Sequence, residues 1–123
     1  MGKSTYLQQK TLADALGANV YLALYRNSPG DDDEGDEVAD YTRLPVTFTT
    51  PARKKALMMC ENSNIVTFPP KSGGYGTITH VGLRDAEVGG NLLYYAQLKR
   101  AIRSTNDKTA VEFLAGELKV SED

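Results

Sequence analysis

Residues Tyr75–Leu98 read YGTITHVGLRDAEVGGNLLYYAQL, and this stretch decides the fold class. Thr77–Arg84 and Leu92–Leu98 are two nearly uncharged runs rich in β-branched and aromatic residues, which predicts a pair of strands. Asp85–Asn91 (DAEVGGN) joins them as a hairpin, because Gly89, Gly90 and Asn91 tolerate positive φ. Alternation along the first strand sets Thr77, Thr79, Val81 and Leu83 on one face and Ile78, His80 and Gly82 on the other.

Working outward, residues 5–17 carry the one helical pattern. Thr5 followed by Gln8 fits a capping box, Tyr6, Leu12, Ala13 and Leu16 share a face, and Gly17 suits a helix stop. The period then changes to two. Val20, Leu22 and Leu24 point one way and Tyr21, Ala23 and Tyr25 the other, predicting a strand apolar on both faces, followed by a turn at Asn27–Gly30 (NSPG). Tyr41–Thr50 reads as a strand that Pro45 confines to an edge or a bulge. Pro51–Lys55 (PARKK) reads as a basic turn, Ala56–Cys60 and Ile65–Phe68 as short strands, and Lys71–Gly76 (KSGGYG) as a flexible loop. Lys99–Lys108 reads as a basic connection before strands at Thr109–Ala115 and Leu118–Val120. One helix and seven or eight short strands predict an all-β protein: a jelly-roll-like antiparallel β-sandwich with one N-terminal helix. The expected organisation is a single domain over 1–123, with the helix at 5–17, the sandwich at 19–120 and an acidic loop at 27–40.

The 123 residues are 41% hydrophobic and 24% charged, a balance suited to one globular core. The net charge of −2 hides a division. Asp31, Asp32, Asp33, Glu34, Asp36, Glu37 and Asp40 fall in one decade of sequence. Of 16 acids these seven leave nine against 14 bases, a net of +5 elsewhere. The acidic segment is expected to be mobile, since its carboxylates repel and it offers little to bury. One cysteine, Cys60, excludes an internal disulfide, and no apolar run nears the ~20 residues that span a bilayer.

No catalytic constellation emerges. His80 is the only histidine, and alternation turns Thr79 away from it. One His and one Cys poorly support zinc, and the acidic run breaks the register of a calcium loop. KSGGYG lacks the Gly-Lys-Ser/Thr triplet of a phosphate loop. Cys60 sits in an apolar run as a small hydrophobe. No cofactor and no metal is expected. The clusters Arg53–Lys55 and Lys99, Arg100, Arg103, Lys108 lack the interleaved exposed aromatics that single-stranded nucleic acid requires, so no specific nucleic-acid partner is expected.

STYLQQKTLADALG, VYLALYRNSPG, YTRLPVTF, NIVTFPP and above all GTITHVGLRDAEVGGNLLYYAQL resemble a family of small tailed-bacteriophage virion proteins of tail-fibre-like or capsid-decoration type. The more basic PARKKALMMC and the unusually acidic DDDEGDE depart from its pattern and bear on the partner more than on the fold. The resemblance implies a non-enzymatic virion protein assembled in the host bacterial cytoplasm. Its partners would be other virion proteins, the major capsid protein or tail subunits. The leading expectation is a capsid decoration (cement) protein acting as a homo-oligomer, with a trimer among the options. The alternatives are a small tail or tail-fibre subunit, and a carbohydrate-binding module using exposed tyrosines such as Tyr75. Docking needs an apolar anchor and complementary charge. The residues expected to supply them are Tyr6, Met58 and Met59; the cations Arg53, Lys54, Lys55, Lys99, Arg100 and Arg103; and the acids Asp31, Asp32 and Asp33.

Overall fold

The computed structural model describes residues 1–17, 19–106 and 108–122. The expected all-β, sandwich-like fold with one N-terminal helix is what it shows. Helix α1 spans Thr5–Leu16 and is followed by nine strands: β1 Tyr21–Tyr25, β2 Leu44–Pro45, β3 Ala52–Lys54, β4 Leu57–Glu61, β5 Val66–Phe68, β6 Gly76–Arg84, β7 Leu92–Ser104, β8 Val111–Phe113 and β9 Lys119–Glu122. All pairings are antiparallel, in sheets ordered β2-β1-β6-β7, β3-β4-β9 and β5-β8. One apolar cluster joins them. Leu12 and Leu16 of α1, Leu22 and Leu24 of β1, Met58 and Cys60 of β4, Phe68 of β5, Val81 and Leu83 of β6, Phe113 of β8 and Val120 of β9 all belong to it.

The helix starts one residue earlier than the capping box implied. Ser4 is the N-cap and its hydroxyl accepts from Leu7 N at 3.2 Å, which leaves Thr5 and Gln8 free to accept from the Arg53 guanidinium, each at 3.0 Å. Gly17 ends the helix for want of space and keeps a negative φ of −85°. A Cβ there would lie 2.5 Å from the Ala13 carbonyl oxygen.

Both faces of β1 are buried, as its pattern implies. Leu22 and Leu24 enter the core. Tyr25 lies on the other face, fully buried, where its ring passes so close to Gly82 that a Cβ at 82 would be 2.8 Å from Cε2. β2 holds Pro45 at the sheet edge, but it is only two residues long, and most of Tyr41–Thr50 is irregular. PARKK is not a turn. Ala52–Lys54 pairs with β4 as a hairpin whose two-residue tip, Lys55 and Ala56, holds Lys55 at φ 57°. Lys99–Ser104 is the second half of β7, not a connection.

The β6–β7 hairpin forms as expected, but alternation does not run through it. Ile78 pairs with Ile102 while His80 pairs with Gln97, so Thr79 alone faces Leu98–Ala101. This bulge shifts the phase, placing Ile78 in the same core as Val81 and Leu83.

One buried polar residue ties the second layer together. Asn62 Nδ2 donates to the carbonyls of Asn64 and Leu114, and its Oδ1 accepts from Gly116 N and Leu118 N. Asn62→Ala removes these four bonds, with Gly116 N alone keeping a second acceptor in the residue 62 carbonyl, and a loss of about 3 kcal/mol is expected in denaturant unfolding.

Candidate docking surface

The acidic loop is part of the fold. Its two ends zip beside β1, with Arg26 N donating to Asp36 O and Val38 N to Leu24 O, both at 2.9 Å. Pro29 and Val38 are buried, so the loop does have apolar groups to bring in. Two buried arginines then hold it. Arg84 grips both oxygens of Asp33 at 2.7 Å, reaches Tyr25 Oη at 3.0 Å, and donates to the carbonyls of Gly89 and Gly90. All five of its N–H groups are thereby used. Arg43 takes both oxygens of Glu37 and donates to the carbonyls of Ala86 and Gly89. Tyr41 Oη donates to Glu37 and accepts from Leu24 N. The arginines therefore clamp the loop and the Gly-rich hairpin to one end of the sheet. Against the expected mobility, the arginines neutralise Asp33 and Glu37 and hold the loop in place.

The charges follow the geometry. Hydrogen bonds from Arg84 draw the Asp33 carboxyl below its ordinary value. Burial pushes Glu37 up, but hydrogen bonds from Arg43 and Tyr41 outweigh it and its net shift is downward. Asp33 and Glu37 in turn raise Arg84 and Arg43. Burial, and then the bond to Glu37, keep the Tyr41 phenol protonated well above its usual range.

The predicted docking residues separate into those turned inward and those left on the surface. Met58 is buried in the core and cannot anchor a partner, while Met59 is half-buried. Arg53 binds Thr5, Gln8 and the Ala56 carbonyl, tying the helix to the β3–β4 hairpin. Lys54 lies 3.6 Å from Glu61, and Lys55 is exposed at the hairpin tip. Tyr6 is 73% exposed on α1. Asp33 is committed to Arg84 and Asp31 to Tyr95, while Asp32 faces solvent. Lys99, Arg100 and Arg103 are exposed on β7, and their side chains form no hydrogen bond or ion pair among the described residues.

β7 is the outer strand of its sheet, with no further strand beside it among the described residues. Between it and residues 112–121 runs an open groove of about 900 Å³, with Val81, Phe113 and Val120 in its floor and Lys99, Arg100 and Lys119 among its lining residues. Sequence reasoning missed this edge because it read β7 as ending at Leu98.

The chemistry available elsewhere is slight. The bulge brings Thr79 Oγ1 within 2.8 Å of His80 Nδ1, against the expectation that they diverge. Thr79 spends its hydroxyl proton on the Arg26 carbonyl, so His80 Nδ1 is the donor and the threonine is no nucleophile. Burial raises the Cys60 thiol. Among the described residues no three His, Cys, Asp or Glu side chains converge on a metal position. Tyr75, the candidate for stacking on a sugar, is buried against Tyr41 and Phe68 and donates to the Pro69 carbonyl. No described helix is long and apolar enough to cross a membrane.

The family described as Podophage GP4 fiber I protein gp80 matches residues 2–121. The chain belongs to that family. It is thus a phage fibre-type virion protein, in keeping with the resemblance carried by its hairpin. No curated protein matches it.

For this fibre-family chain the clamp makes two predictions. Arg84→Met should cost about 2–3 kcal/mol, at the low end for a buried ion pair because the Asp33 side chain keeps 35% of its exposure. Arg84→Lys should recover little, since an ammonium cannot span both Asp33 oxygens and two carbonyls. The second concerns pH. Asp33 and Glu37 titrate below their ordinary values of 3.8 and 4.5, so their contribution is complete above those values and lost as pH falls through the depressed ones. Thermal unfolding should show Tm flat above about pH 5 and falling below about pH 4, with a shallower acid limb in Asp33→Asn combined with Glu37→Gln.

Proposed function

We propose that the chain is a non-enzymatic structural subunit of the phage tail-fibre apparatus, working as a docking body between other virion proteins. The observation that carries this reading is the fibre-family match across residues 2–121. It favours the tail alternative over decoration of the capsid. The architecture supports a body at the base or junction of a fibre. A shaft gains length from repeats, triple-stranded β-helices or coiled coils, and no such element occurs among the described residues. The surface supports docking over catalysis, because the lone histidine is tied to a neighbouring threonine and the lone thiol is buried.

Cryo-electron microscopy of particles lacking this chain tests the location. Density is expected to be missing at the tail or fibre base, with heads unchanged. Density missing from the head surface would overturn the reading and restore the decorating role.

A further inference from the structure

We propose that β7 is a self-association edge, pairing antiparallel with β7 of a second copy about a two-fold axis near Leu98. The partner is this same chain, whichever part of the virion it occupies. Three observations carry it.

The first is the edge itself. β7 runs from Leu92 to Ser104, and its outer side carries no strand among the described residues. Unpaired N–H and C=O groups along such an edge are a template for another strand.

The second is the order of charge along it. Asp31 binds Tyr95 Oη, which brings the acidic loop out over the first half of β7, where Asp32 and Glu34 remain exposed. The cations Lys99, Arg100 and Arg103 follow on the second half, roughly 13–26 Å further along at ~3.3 Å per residue. The edge is acidic at one end and basic at the other. A two-fold, antiparallel pairing sets each acidic end against the other copy's basic end, whereas a parallel pairing sets like against like.

The third is the face. Tyr95 pairs with Gly82, on the side of the sheet that Tyr25 and the loop cover. Arg103 pairs with Thr77 beside the inward Ile78–Ile102 pair, so it points to that same outer side. Antiparallel pairing about an axis normal to the sheet keeps outer faces continuous, so the loop meets Arg103, the cation that this register places on that side. The bulge at Leu98–Ala101 and the three cations guard this edge against indiscriminate strands. An edge guarded in that way admits a strand that brings acids with it, and this chain does.

A charge-swap experiment on the purified full chain tests the pairing by sedimentation equilibrium. Wild type is expected at twice the mass of one chain, with a dissociation constant weakened about tenfold or more on raising salt from low to several hundred millimolar. The triple variant Lys99→Glu, Arg100→Glu, Arg103→Glu should be monomeric, and so should the double variant Asp32→Lys, Glu34→Lys. All five positions are exposed and outside the clamp, so unchanged Tm values would show that both variants fold. Mixed one to one, the two variants should recover a dimer containing one of each, because both contact zones are again complementary. A monomeric wild type, a dimer that survives in either variant, or a mixture that stays monomeric would overturn the proposal. If the wild type is monomeric yet the triple variant no longer joins virions, the edge takes an acidic strand of another virion protein instead.

Discussion

The structure hangs on two arginines placed where charge is costly. Arg43 and Arg84 are 8% and 7% exposed, and an unpaired guanidinium at that depth would cost several kcal/mol. Each is satisfied by a bidentate carboxylate from one side and by backbone carbonyls from the other. The carboxylates come from the loop after β1 and the carbonyls from the hairpin after β6, so neutralising the arginines also fixes both segments. Tyr25 from β1 and Tyr41 from the segment before β2 complete the network, and no buried side-chain polar atom is left without a partner among the described residues.

This arrangement divides the charge of the chain into two parts with different work. Asp33 and Glu37 neutralise the buried arginines and stabilise the fold. Asp32 and Glu34 are exposed, as are Lys99, Arg100 and Arg103, and charges on long side chains in solvent add little stability. The ion pairs give the surface its geometry, because Asp33, held by Arg84, is two residues from the Asp31 that binds Tyr95. The docking role proposed for this fibre-family chain calls for such a rigid display.

Local signals in the sequence carried much of this. The helix, both faces of β1, the edge position of Pro45 and the Gly-rich hairpin follow from period and turn chemistry within a few residues. What escaped depends on residues far apart. The partner of Asp33 is 51 positions away, at a strand end where an arginine looks like an ordinary surface charge. The bulge in β7 breaks alternation, so its basic half read as a connection, and Arg53–Lys54 read as a turn because charge outweighed a three-residue strand pattern. Met58 and Tyr75 seemed available to partners because their burial comes from α1, Tyr41 and Phe68, which sequence neighbours do not reveal.

Native-state hydrogen exchange at residues 26–41 tests the central claim, that the acidic loop is a fixed cover and not a solvated tether. The amides of Arg26 and Asp36, bonded within this region, and of Val38, bonded to the Leu24 carbonyl, are expected to be protected to nearly the same free energy as Ala23, which pairs with Gly82 in the sheet, and to lose that protection selectively in Arg84→Met. Exchange of Asp36 and Val38 at the rate of an unstructured peptide, with Ala23 still protected, would contradict it.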